Sequence, residues 1–212
     1  MKIFVVGATG RVGQELIRNL VDQNHQIVAG ARSPEKIISN NNVTPIRINL
    51  HDDVEILSQI IKDVDVIYFV AGSRNKDLLQ TDAFGAVKIM QVAKINRISR
   101  FIMLSSAFSL EPNKWNNPAM ASLLNYNIAK FFADNYLVNQ TELNYTILQA
   151  TALVEIPGTH KISLNDEANT TNSIQNVGAT LAELLNYNQT INQIIKMSDG
   201  DTPISDAFKH IT

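Results

Sequence analysis

The sequence predicts an α/β fold: a doubly wound, mostly parallel sheet in three layers, with helices on both faces. Three observations predict it. Apolar, β-prone runs alternate with helical stretches without a break along the 212 residues. Each strand-helix-strand step needs a crossover connection, which makes neighbouring strands parallel. The opening run is continuously apolar, the pattern of a strand covered on both faces.

The elements follow in order. KIFVV (residues 2–6) is the first strand. After a glycine-rich turn, RVGQELIRNLVDQ places Val12, Leu16, Ile17, Leu20 and Val21 on one helical face. HQIVAGA is a second strand, and VTPIRIN a third, with Pro45 expected at its start or at a sheet edge. VEILSQII is helical, with Asp52 and Asp53 placed to cap it. VDVIYFVAG is a fourth strand, AFGAVKIMQVAKI a helix and RFIMLSS a fifth strand. A long helix, SLLNYNIAKFFADNYLV, precedes the sixth strand NYTILQA. The helix SIQNVGATLAELLNY, the strand INQIIKMS and a terminal helix PISDAFKHI complete the chain. With no linker or repeat, residues 1–212 read as one domain with small C-terminal elements on the substrate side. The irregular segments 108–121 and 151–172 leave strands at their carboxyl ends, where open α/β sheets bind ligands, so they are the expected walls of a cleft.

Composition narrows the function. A formal net charge of -2 and the absence of a basic run give no basis for nucleic-acid or membrane-surface binding. With no cysteine, disulfides, thiolate zinc sites and thiol chemistry are excluded. His25, His51, His160 and His210 lack metal-ligand spacing, so no metal is expected. The N-terminal apolar run is too short for a signal peptide and none reaches membrane-spanning length; the expectation is a cytoplasmic protein with a small-molecule substrate.

The glycine-rich turn carries the chemistry. In GATGRVG, Gly7, Gly10 and Gly13 lie directly between the first strand and the first helix. Backbone amides there can approach a pyrophosphate at a helix N-terminus whose dipole favours negative charge. This is the signature of a Rossmann nucleotide site, and Gly7, Thr9, Gly10, Arg11, Val12 and Gly13 are its expected cradle. The second strand ends VAGARSPEK, with Arg32 and Ser33 where a carboxylate would select NAD. Arg32, with Arg11 as an added charge, therefore favours NADP, and NADPH over NADH.

GATGRVG, ARSPEK, RFIMLSS and YNIAK together resemble the atypical short-chain dehydrogenase/reductase family of NAD(P)-binding proteins, in particular its small NmrA-like and flavin-reductase-like members. The resemblance implies that Asn49 and Leu50 lie beside the adenine and that Ala71 and Gly72 pass the cofactor. It implies Ser106, with Ser105 as a neighbouring candidate, as the active-site serine, and Tyr126 and Lys130 as a Tyr-x-x-x-Lys pair. Tyr126 would exchange the proton during hydride transfer, while Lys130 would also meet the nicotinamide ribose. Residues at i and i+4 share a helix face, so an ammonium at 130 can favour tyrosinate. The chain departs from relatives that read Arg-Pro-Gly after the sixth strand, having QATAL instead, and from those with an Arg-Glu-Asp-like stretch where it has Gln175, Asn176 and Val177.

Two functions in different classes follow. One is an NADPH-dependent oxidoreductase reducing a small carbonyl, quinone or flavin-like acceptor. The other is a regulator that senses NADP(H) without turnover; an epimerase or dehydratase is a third. Trp115 either stacks on a planar substrate or anchors its own loop, and Arg74 either meets an anion or is solvated. The helices at 80–95 and 122–138 could pair with a second copy in a homodimer.

Overall fold

The structure is a computed structural model that describes residues 1–116, 118–166 and 171–211, the side chains of 118–120 and 210 excepted. Seven strands form the parallel body of the sheet: β1 (Lys2–Val6), β2 (Gln26–Ala31), β3 (Val43–Arg47), β4 (Val66–Phe69), β5 (Arg100–Ser106), β6 (Asn144–Ala150) and a later strand at Gln193–Asp199. Three short strands at Ala152–Val154, Lys161–Leu164 and Thr171–Ser173 come before that last one, so they are β7, β8 and β9 and it is β10; Thr202–Pro203 is β11. The sheet order is β11-β8-β10-β6-β5-β4-β1-β2-β3. β1 pairs with both β2 and β4, and the chain winds outward in both directions from that point.

Alternation along the strands feeds two cores. Ile3, Val5, Val66, Tyr68, Ile102 and Leu148 point to one face, where they meet α1 (Arg11–Asp22) and α5 (Ile174–Glu183). Phe4, Val6, Ile67, Phe69, Phe101, Met103 and Ile147 point to the other. There they meet α2 (Val54–Ile60), α3 (Phe84–Ile95) and α4 (Leu124–Gln140). Every residue of β4 is buried, which explains the lack of polar alternation in the central strands. Each such side chain contributes about 1.5–3 kcal/mol when fully buried.

Pro45 lies within β3, opposite Ala29, at the outer edge where its missing N–H costs no ladder bond. The opposite edge differs from expectation. The segment read as irregular at 151–172 carries β7, β8 and most of β9: β8 pairs antiparallel with β10 and with the later β11, and β7 and β9 form a small ribbon. These strands have two to four residues, too few for a period of two to be visible. Asn117 and residues 167–170 of the two expected cleft walls lie outside the described residues.

Other boundaries shift. A π-helical turn at Leu78–Ala83 precedes α3. The terminal helix is a four-residue α6 (Ile204–Ala207) followed by a 3-10 turn. Asp53 occupies the N-cap position of α2, but its side chain makes no capping bond; the expected cap is corrected to a positional one. Asp52 instead accepts from Asn49 Nδ2 at 3.3 Å, and its carbonyl accepts from Lys88 Nζ at 2.8 Å. Among the described residues, no helix is long and apolar enough to cross a membrane.

Candidate functional site

The expected cofactor residues converge at the carboxyl ends of β1–β4, where the winding reverses between β1 and β4. Gly7 leaves β1 with φ of +97°, a conformation that L side chains rarely adopt. A Cβ there would stand 2.7 Å from the Ala71 backbone, so the turn passes directly against the end of β4. A Cβ on Gly13 would stand 2.3 Å from the Gly7 carbonyl oxygen, so only glycine lets α1 start this close to β1. The Gly7 and Ala8 amides donate to the Gly30 carbonyl, both at 3.1 Å.

Gly10 is the N-cap of α1 and supplies no side-chain bond. The amides of Arg11, Val12 and Gly13 have no carbonyl partner inside the helix, as in any first helical turn. The cradle therefore presents free donors and a positive dipole end, and it fits the pyrophosphate of a dinucleotide. Val12 is buried and packs into the α1 face of the core, so only its backbone faces this way. Thr9 turns its carbonyl to Gln14 Nε2 at 3.2 Å.

At the outer strand ends, an open pocket of about 320 Å³ is lined by Arg32, Arg47, Asn49 and Asp52. Arg47, at the end of β3, was not singled out from the sequence; its signal is its place two residues before Asn49. Ser33 opens the 3-10 turn at Pro34–Lys36 beside Arg32. Arg11 is not brought to this pocket. Its guanidinium donates to Glu155 Oε1 at 2.8 Å and lines a separate pocket of about 430 Å³ with Gln14 and Gln175. Leu50 is a core residue packed against α3 near Gly85, because its side chain points into the second core. Ser73, next to Gly72, is held by buried Asp82, which accepts from its amide at 3.0 Å. His51 Nε2 bonds Asp77 Oδ2 at 2.7 Å, and Thr81 donates to the same oxygen at 2.5 Å. Those two bonds, with a smaller effect from the Arg32 field, hold the Asp77 carboxyl below its ordinary range.

The proposed chemical residues meet at the end of β5. Lys130 is 3 % exposed; its Nζ stands 5.8 Å from the Tyr126 ring centroid and donates to the Leu104 carbonyl at 3.2 Å. Ser106 Oγ donates to Asn127 Oδ1 at 3.1 Å, which ties the serine to the residue next to Tyr126. Tyr126 itself is half-buried. Ser105 points away from Ser106, as alternation requires, and donates to Asp134 Oδ2 at 2.6 Å. Ser109 donates to the same oxygen at 2.5 Å and accepts from Gln149 Nε2 at 2.8 Å. Burial pushes the fully buried Asp134 carboxyl up to about 6, against the two serine bonds and the Lys130 ammonium.

Of these, Asp134, Asn127 and Ser109 were not singled out from the sequence, and Gln149 stood out only as the first residue of QATAL. Asp134 could have been found, since it continues the i, i+4 stripe of Tyr126 and Lys130 by one step.

The remaining candidates separate. Trp115 anchors its own loop: its Nε1 donates to the Phe108 carbonyl at 2.8 Å, and its ring meets Phe131 edge-on at 6.0 Å. Arg74 is exposed in a turn with φ of 53°. His25 bonds the N-terminal amine at 3.3 Å, His160 sits in a turn with φ of 55°, and the His210 side chain lies outside the described residues. Among the described residues, no group of three or more His, Asp or Glu is placed to hold a metal.

Known proteins are similar to this chain in sequence and fold. The sequence pattern of the NAD(P)H-binding family matches residues 7–188. A crystal structure described as the oxidoreductase ylbE from Lactococcus lactis is 42% identical, with a TM-score of 0.96 over 99% of this chain and 95% of that one. A Bacillus subtilis (strain 168) protein named uncharacterized sugar epimerase YhfK is 33% identical over 100% of both chains. A short-chain dehydrogenase/reductase from Veillonella parvula DSM 2008, solved in complex with NADP, shares the fold at a TM-score of 0.75 and 22% identity, over 95% of each chain. The glycine cradle, the strand order and these relatives agree: the chain belongs to the NAD(P)H-binding family of Rossmann proteins.

Proposed function

We propose that this protein is an NADPH-dependent oxidoreductase that reduces a small carbonyl, quinone or flavin-like acceptor. The observation that carries the reading is the buried ammonium of Lys130 beside the Tyr126 ring, at the strand end that bears Ser106. When bound, the nicotinamide supplies a hydride to the electrophilic atom of the acceptor. Tyr126 delivers the proton to the oxygen that gains negative charge, and Lys130 stabilises the charge left on the phenol oxygen. Ser106 orients the acceptor oxygen. Ala71 and Gly72 form the floor under the cofactor.

The cofactor preference for NADPH rests on Arg32 and Arg47 lining one pocket, where two guanidiniums suit the 2′-phosphate. Fluorescence titration of NADPH against NADH tests it. NADPH binds at least about tenfold more tightly, and Arg32→Ala or Arg47→Ala each costs about 1.5–3 kcal/mol of NADPH affinity and spares NADH. Equal affinities in the unaltered protein would refute it. The chemistry is tested by NADPH oxidation with aldehydes, quinones and flavins: Tyr126→Phe abolishes carbonyl reduction. Tight NADPH binding with no turnover on any acceptor would move the reading to a cofactor-sensing regulator.

The epimerase named among the relatives supports a second reading, in which the hydride returns to the substrate and no NADPH is consumed. A homodimer through α3 and α4 is supported by exposed Phe84, Leu124 and Phe132 on those helices; light scattering at a protein concentration series tests it. The whole chain acts as one domain in this reading, in a cytoplasmic setting.

A further inference from the structure

We propose that Asp134 is the positioning residue of this site: it locks the end of β5 to α4 and places a buried counter-charge one helical turn beyond Lys130. The inference rests on Tyr126, Lys130 and Ser106 being the reacting groups. Its geometry does not depend on what the acceptor is.

Asp134 is 0 % exposed. A buried carboxylate is costly unless hydrogen bonds and an opposite charge compensate it. Here one oxygen receives two hydroxyl protons, from Ser105 within β5 and from Ser109 just beyond it. Ser109 also accepts from Gln149 Nε2, and its own proton goes to Asp134. The strand end that carries Ser106 is thus held from both sides, by Asp134 through Ser105 and by Asn127 directly. Both holding residues sit on α4 with Tyr126 and Lys130.

Among the described residues, the second oxygen of Asp134 has no hydrogen-bond partner. Two serine bonds alone would serve a purely structural link; an ionised group with an idle oxygen in the core needs a nearby cation. Lys130, on the same helix face, is the charged group whose field reaches it. The remaining groups facing it, Ser105, Ser109 and, through Ser109, Gln149, are neutral. Lys130 in turn is buried with a backbone carbonyl as its hydrogen-bond acceptor.

The test is a pH titration of the unliganded protein labelled with [13Cε]lysine, followed by NMR, with the Lys130 signal assigned by its loss in Lys130→Arg. The unaltered protein shows a step in the Lys130 shift near pH 6, where Asp134 gains its proton. Asp134→Asn abolishes the step. Ser109→Ala removes one donor to the carboxylate and moves the step to higher pH, which decides the matter even if Asp134→Asn does not fold. A Lys130 signal with no step, a step that survives Asp134→Asn, or one unmoved by Ser109→Ala overturns the proposal. In NADPH oxidation, Asp134→Asn lowers kcat about tenfold while KM for NADPH stays put. Unchanged kcat overturns the positioning role, whereas an unaltered protein with no turnover sinks only the reductase reading.

Discussion

Replacing Asp134 by Asn should change the pH dependence of folding stability by a calculable amount. In the unfolded chain this carboxyl takes up its proton at 3.8, and in the native state already at about 6, because burial penalises the ionised form more than Ser105, Ser109 and Lys130 favour it. Between those pH values the native state binds more protons than the unfolded state. Stability from this group is therefore fully present below 3.8 and is lost as pH rises through about 6. The gap corresponds to about 3 kcal/mol. Asparagine has the same shape and no titration. It also carries a pH-independent cost: its Oδ1 can keep both serine bonds, but its NH2 then takes the place of the unpartnered oxygen and is buried without an acceptor. That cost cancels when the difference in unfolding free energy between the two proteins is followed with pH. Urea denaturation monitored by circular dichroism from pH 4 to 7 should show the unaltered protein losing most of the gap, about 2.5 kcal/mol, relative to Asp134→Asn. A flat difference would mean that Asp134 titrates alike in both states. A difference of the opposite sign would mean that Lys130 and the serines outweigh burial.

Other outcomes follow from the packing. Gly13→Ala forces a Cβ against the Gly7 carbonyl and should cost about 1–3 kcal/mol together with a loss of NADPH affinity; unchanged melting and binding would refute the close approach. Leu16→Ala opens a cavity where α1 meets the first core and should cost about 2–5 kcal/mol by urea denaturation. Tyr68→Phe leaves the buried Leu181 carbonyl without the hydroxyl that donates to it at 3.0 Å, at a cost of about 1–3 kcal/mol, again read by urea denaturation.

Much of the fold was legible from one residue to the next. The run KIFVV, the glycines after it and the stripe Val12, Leu16, Ile17 and Leu20 announce a strand, a phosphate-binding turn and a helix through local periodicity and backbone sterics alone. Pro45 likewise marked an edge strand through its missing N–H. Such properties belong to short segments and need no partner. β8 and β11 do need one: a strand of two to four residues is held by its neighbours, and their pairing with β10 is a long-range event.

The same division runs through the site. The sequence alone determined that a strand, a glycine turn and a helix make a nucleotide cradle, and that Tyr126 and Lys130 share a helix face. Only the tertiary structure decided that Arg47 joins Arg32 at the outer strand ends, while Arg11 turns away to Glu155. Only it decided that Asp134, Ser105, Ser109 and Gln149 close one network around the end of β5. Electrostatic partners are chosen by distance through space and by burial. Neither is a property of residues adjacent in the chain.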